Sequence, residues 1–298
     1  MKNSAKTGRI ESSAYSKLED YYKTLLKEGG GLRAYDPTIE NGIVGKYNPS
    51  NQVIVQMYAR KSNGGNVTII PYIPGSTVKG AIREAIAYNS LKNNEPRLRQ
   101  LASCLDRDRR RWVQQACFDA LFMYDEPRRG HYDGKLDVLR FFEVSDFFPD
   151  DSYRLSLFEM QRISSGKKSI SVQAIMISGG TFYGQINYVV PSDKLREKVD
   201  RKLTELMGLK TVSPKEDVER SILVHLRNYY GRKGGDSCEG KTPMRIGFGT
   251  GAEMKGITDL REEFKERYNN PKKHRYWPPK SHFSVNGKHP GQVCLEVI

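Results

Sequence analysis

Residues 72–83 read Tyr72-Ile73-Pro74-Gly75-Ser76-Thr77-Val78-Lys79-Gly80-Ala81-Ile82-Arg83. Before them, Val67, Ile69 and Ile70 form a β-branched run. After the turn, Val78, Ile82 and Ile86 recur at helical spacing, with Lys79 and Arg83 on another face. The stretch therefore predicts a strand, a tight turn at Pro74-Gly75-Ser76, and a helix from Thr77 to about Leu91. Ser76 or Thr77 can cap that helix. Gly75 and Gly80 allow a backbone to approach closely, and Lys79 places positive charge where unpaired N–H groups already favour an anion. Such a device suits a phosphate.

Outward from this turn the pattern alternates between α and β. Strands at 53–59 and 67–72, joined by Ser62-Asn63-Gly64-Gly65, read as a hairpin. Towards the N-terminus, Tyr15, Leu18, Tyr22, Leu25 and Leu26 lie at helical spacing, Gly29-Gly30-Gly31 stops that helix, and 32–45 reads as loop. A helical region at 96–124 follows the turn helix. Its Arg97, Arg99, Arg107, Arg109, Arg110 and Arg111 are read as a solvated helix face. A polar loop at 126–137 precedes strands at 138–148, 153–160, 169–178 and 181–190, the third of which sets Ile170, Val172, Ala174 and Met176 on one side. Helices are expected at 192–207 and 214–230. The second opens on Ser213-Pro214-Lys215-Glu216, a capping box with Pro at the first helical position. A final hairpin is expected about Asn286-Gly287, its last strand running from Val293 to Val297.

With 49 Lys and Arg against 35 Asp and Glu, the chain carries a net charge of +14 over 298 residues. This charge suits a polyanionic partner, and 17 Tyr and 11 Phe add possible stacking groups. No run approaches the roughly 18 apolar residues of a spanning helix, and the polar start lacks the apolar core of a signal peptide, so a soluble, cytoplasmic protein with no membrane partner is expected. Cys104, Cys117, Cys238 and Cys294 show no CxxC spacing and no disulfide framework, and the five histidines are scattered. No metal and no other cofactor is expected.

A second motif lies at 244–251: Met244-Arg245-Ile246-Gly247-Phe248-Gly249-Thr250-Gly251, with Lys255 just beyond. Alternating glycines permit positive φ and bare the backbone N–H groups, and Arg245 and Lys255 flank them. The loop is not a phosphate-binding Walker motif, because no Gly-Lys-Ser follows at the required spacing. It is a poor dinucleotide fingerprint, because no parallel βαβ unit surrounds it.

The turn at 72–83 resembles the IPGSS-hydrophobic-KGxxR signature of the RAMP superfamily of CRISPR proteins. The loop at 245–251 resembles that family's late glycine-rich loop, and Leu139-Arg140-Phe141-Phe142-Glu143-Val144-Ser145-Asp146 resembles its mid-chain strand. The ending, from Trp277-Pro278-Pro279-Lys280 through Val285-Asn286-Gly287-Lys288 to Gly291-Gln292-Val293-Cys294-Leu295, is similar to that of the fifth subunit of type III-A Csm effector complexes. The resemblance implies an α+β, modified ferredoxin-like (RRM-like) fold, an antiparallel sheet with helices packed on one face. Residues 51–298 would form this core, with a helical insertion at about 92–125, and 1–50 would be a divergent N-terminal helix and loop lacking the family's usual first strand and glycine turn.

It also implies a non-catalytic crRNA-binding subunit that caps the backbone near the crRNA 3′ end in antiviral defence, with crRNA, target RNA and other RAMP subunits as partners. The RNA-binding candidates are Gly75, Ser76, Thr77, Lys79, Arg83, Arg245, Gly247, Phe248, Gly249, Gly251 and Lys255. Two enzymatic alternatives stand beside this reading. A backbone-type RAMP subunit would cut target RNA with an early-loop aspartate, for which Asp36 is the candidate. A RAMP crRNA-processing endonuclease would need a general base, for which His131 is the candidate. Apart from these, no constellation of nucleophile and base is visible in the chain.

Overall fold

The computed structural model describes residues 53–54, 58–63, 66–92, 94–107, 117–125, 133–150, 152–164, 167–212, 215–233, 238–247, 281–285 and 290–297. The expected helix at 13–28 and the loop at 32–45 lie outside them.

Twelve strands and four α-helices are described: β1 (Val53–Ile54), β2 (Tyr58–Asn63), β3 (Asn66–Pro71), α1 (Gly75–Lys92), α2 (Glu95–Arg107), β4 (Phe142–Val144), β5 (Phe148–Pro149), β6 (Arg154–Ser164), β7 (Lys167–Gly179), β8 (Phe182–Tyr183), β9 (Ile186–Tyr188), α3 (Asp193–Met207), α4 (Lys215–Tyr230), β10 (Thr242–Arg245), β11 (Ser281–Ser284) and β12 (Gln292–Leu295). The chain is thus a mixture of helices and mainly antiparallel strands. Among the described residues no helix is long and apolar enough to cross a membrane.

The core is split in two. Helices α1, α3 and α4 supply most of one cluster, to which α2, β4 and β9 also contribute. Along α4, Val218, Ser221, Ile222, His225, Leu226, Tyr229 and Tyr230 are buried, spaced by three and four as a helix facing a core requires. They meet α1 on the side where Ala81 and Ala85 keep its surface low enough for close approach. At this junction the Tyr88 and Tyr229 rings stand 4.8 Å apart, and Asn89 Nδ2 donates to the His225 carbonyl at 3.0 Å. Burial lowers the His225 pKa, and its Nε2 lies 3.2 Å from the Met207 carbonyl, so the neutral ring with the proton on Nε2 fits this site. The smaller cluster, Phe158, Met160, Ala174 and Val285, belongs to a four-stranded sheet ordered β1-β7-β6-β11. Ala174 is buried there and Val172 and Met176 are half-buried, on the face the alternation predicted.

Several boundaries differ from expectation for reasons of tertiary pairing. The expected strand 53–59 is divided: β1 pairs in parallel with β7, while β2 turns back on β3 from Tyr58↔Pro71 to Asn63↔Asn66. So the larger sheet is not wholly antiparallel, and among the described residues its apolar cluster is separate from that of the helices rather than shared along one face. The stretch expected as one strand at 138–148 begins as a 3-10 turn, Val138–Phe141, whose N-cap Asp137 accepts the Leu139 N–H; only Phe142–Val144 and Phe148–Pro149 are extended. The strand expected at 181–190 is likewise divided, β8 pairing with β5 and β9 with β4.

The final hairpin does not form. Strand β11 pairs with β6 and β12 with β10, so the two segments flanking Asn286-Gly287 join different sheets. Cys238 and Cys294 form a disulfide, contrary to the sequence expectation, with Cα atoms 5.5 Å apart across 56 residues. The β10–β12 pairing brings them together, and no sequence spacing could signal that. Helix α3 ends at Gly208 in the left-handed conformation, φ 67°.

Candidate nucleic-acid interface

Two motifs far apart in the sequence lock together at the start of α1. Ile73 and Phe147 exchange backbone hydrogen bonds, Ile73 N–H to Phe147 O at 3.0 Å and Phe147 N–H to Ile73 O at 2.9 Å. This bridge sets residues 144–146 against the turn. The Gly75 N–H donates to Asp146 Oδ1 at 2.8 Å. A Cβ on Gly75 would stand 2.2 Å from the Val144 carbonyl oxygen and 2.5 Å from that of Ser145. Glycine is required here because two segments of this chain's own backbone touch, while around Gly80 a Cβ would meet nothing.

Helix α1 starts at Gly75, two residues earlier than expected. The Pro74 carbonyl accepts from the Thr77 N–H at 2.9 Å and the Val78 N–H at 3.3 Å. Ser76 and Thr77 therefore lie inside the first turn, and Asp146 supplies the carboxylate that the helix N-terminus attracts. Sequence reasoning missed Asp146 as a cap, because its partner is 71 residues away. The one available signal was its place at the end of the mid-chain family motif, 139–146.

The two cations of the turn also have partners within the fold. Lys79 Nζ donates to the Phe142 carbonyl at 2.8 Å. Its pKa is lowered, chiefly by burial; Asp137 and Glu143 oppose the shift and Arg83 adds to it. Arg83 forms ion pairs with Asp137 and, at 3.4 Å, with Asp119, and its guanidinium lies 4.5 Å from the centre of the Phe122 ring. Asp137 is buried, and its other oxygen accepts the Leu139 N–H at 2.8 Å. Arg83 thus neutralises a buried carboxylate that itself caps the 3-10 turn leading into β4. Ser76 is exposed at the mouth of this assembly and Thr77 is half-buried.

At the second motif, β10 and β12 pair from Thr242↔Leu295 to Arg245↔Gln292, and the Ile246 N–H continues the ladder to the Gly291 carbonyl at 2.8 Å. Arg245 is buried: burial pushes its pKa down, while neighbouring Tyr230 pulls it up. Tyr230 is raised by burial and by Glu84, with Arg245 opposing. Gly247, next along, is exposed with φ 86°, and a Cβ there would meet nothing within 4 Å. Phe248, Gly249, Gly251 and Lys255 lie outside the described residues, as do Asp36 and His131. Of the arginines read as a solvated helix face, Arg99 pairs with Glu95 on the surface at 2.6 Å, as expected. Arg97 instead ties α2 to α3, through an ion pair with Glu205 and a 3.1 Å hydrogen bond to that residue's carbonyl.

Interlocked segments joined at a glycine turn, together with the β10–β12 ribbon that ends at Gly247, belong to a scaffold of mixed α and β elements. The chain belongs to the RAMP superfamily, whose family model matches residues 62–237. No curated protein sequence matches it. Among solved structures it resembles a chain in the cryo-EM structure of a Csm-crRNA-target RNA ternary complex of a type III-A CRISPR-Cas system, with a TM-score of 0.57 and 22% identity over 85% of this chain and 78% of that one. It also resembles the crystal structure of T. onnurineus Csm5, with a TM-score of 0.50 and 17% identity over 82% and 77% of the two chains. Likeness at these identities speaks for the fold alone.

Proposed function

We propose that this protein is a non-catalytic crRNA-binding subunit of a type III CRISPR effector complex, capping the backbone near the crRNA 3′ end. The observation that carries this reading is the RAMP family match over residues 62–237; the likeness to chains of a Csm complex and to a Csm5 supports it. The sheet is read as a modified ferredoxin-like one: β1 lies parallel to β7 and β7 pairs with its hairpin partner β6, three strands in the order such a sheet uses, while β11 takes the place beyond β6.

RNA runs past the exposed Ser76 and the half-buried Thr77 and Lys79, and along the late glycine motif of Gly247, Phe248, Gly249, Gly251 and Lys255. One of the three N–H donors of Lys79 goes to Phe142 O, and the ammonium can offer another to a phosphate. Gly75, Arg83 and Arg245 act as positioning residues, since each is engaged inside the fold. Contacts of this kind go to phosphate and sugar and tolerate any sequence.

The test is a titration of the chain with single-stranded RNA at several salt concentrations. Lys79→Ala should weaken binding and reduce the slope of log affinity against log salt by about one. An unchanged slope removes Lys79 from the phosphate contacts. In the assembled complex, Asp36→Ala and His131→Ala should leave guide processing and target cleavage intact. Loss of one target cut with Asp36→Ala, in a complex that still assembles, makes the chain a cleaving backbone subunit instead.

A further inference from the structure

Beside the interlocked turn lies a surface with a different character. Strand β5 pairs with β8 so that Phe148 stands opposite Tyr183, and these rings are 42% and 52% exposed. Tyr72, leaving β3, stacks on Phe148 with centroids 5.9 Å apart and planes at 22°. The neighbouring Phe147 points the other way and is buried, with Gly184 directly beneath its ring. Two residues to either side of Phe148 stand Asp146, exposed while its Oδ1 takes the Gly75 N–H, and the half-buried Asp150. Asp150 accepts the Ser152 N–H and hydroxyl, which hold its pKa below the ordinary value and keep it charged.

Lys and Arg make up 49 of the 298 residues, yet 141–153 and 169–193, the stretches that supply β4, β5, β8 and β9, contain none. In a chain of net charge +14, 141–153 carries Glu143, Asp146, Asp150 and Asp151 and no basic residue. A nucleic-acid strand stacking bases here would bring its phosphates towards Asp146 and Asp150. A cationic side chain gains on both counts, from the ring faces and from the flanking carboxylates.

We propose that the Tyr72, Phe148 and Tyr183 face is a protein-docking surface, which receives from another subunit a segment whose Lys or Arg lies across the rings between Asp146 and Asp150. This inference rests on the assembly reading above and adds to it the chemistry of the partner. Exposed aromatic rings anchored on a rigid ribbon are the side chains that dominate such interfaces when covered.

The probe is the remaining subunits and crRNA of a type III effector complex, purified without this chain and titrated with the full chain. Phe148→Ser/Tyr183→Ser should weaken association about tenfold or more, while the isolated chain keeps its thermal midpoint and its affinity for single-stranded RNA. Asp150→Asn, which still accepts from Ser152, should weaken association about two- to fivefold and flatten its salt dependence. Should the double variant lose its thermal midpoint, Tyr183→Ser alone, at the most exposed ring, carries the same expectation with a smaller loss. Undiminished association of these variants overturns the docking surface, as does loss of RNA affinity with assembly intact, which would mark a base-stacking platform. A wild-type chain that ignores the other subunits altogether brings down the assembly reading and this inference with it.

Discussion

Two glycine motifs that look alike in sequence do opposite work in the fold. At Gly75 the missing side chain lets two backbone segments touch, with the Val144 carbonyl only 2.2 Å from where a Cβ would be, and the helix N-terminus is capped by Asp146. At Gly247 an added Cβ would meet nothing within 4 Å; glycine is favoured because φ is 86° and the chain must leave the β10–β12 ribbon in the left-handed region. The first motif is sealed against itself, whereas Gly247 is exposed. A helix N-terminus preceded by a glycine turn is therefore not by itself an anion site: the chain's own carboxylate can fill it, as Asp146 does here.

Gly75→Ala is the sharpest way to break this contrast. The clash is with carbonyl oxygens rather than with a flexible side chain, so relief requires α1 to move away from β4. The expected loss is about 3 kcal/mol or more of stability, read by denaturant unfolding. An unchanged midpoint would mean that the two motifs are not locked together.

Arg83→Ala should follow closely. It leaves Asp137 buried without its ion-pair partner, at a cost of about 3 kcal/mol. Adding Asp137→Asn, which removes the stranded charge while keeping an oxygen for the Leu139 N–H, should recover part of that loss. A neutral Arg83→Ala, accompanied by loss of RNA affinity, would return this arginine to the phosphate contacts.

On the open side, Cys238→Ser removes a crosslink that closes 56 residues and should lower stability by about 2–4 kcal/mol under oxidising conditions, with no effect once the wild type is reduced. Equal midpoints for oxidised and reduced wild type would separate the ribbon's stability from the disulfide. Gly247→Ala is the smallest of the series. With no clash to relieve, it bears only the left-handed backbone, about 1 kcal/mol, so its effect should be seen in RNA affinity before it is seen in unfolding. A loss as large as that of Gly75→Ala would erase the distinction between the two motifs.

The sequence determined by itself what depends on neighbours a few residues apart. Helices α3 and α4 follow from apolar residues every three or four positions, the turn between β2 and β3 from Ser62-Asn63-Gly64-Gly65 ahead of the β-branched run of β3, and the buried side of β7 from strict alternation. The family, too, was legible in local motifs. Only the tertiary structure decided the pairings between distant segments. Asp146 caps a helix 71 residues away, Cys238 meets Cys294, and β11 leaves its expected partner for β6. Whether Lys79, Arg83 and Arg245 face solvent or the interior was decided in the same way, because a cation's role depends on which carboxylate or carbonyl the fold carries to it. A one-dimensional pattern records a residue's own preferences and spacing; it does not record which remote backbone oxygen will come to rest 2.2 Å from the place a side chain would need.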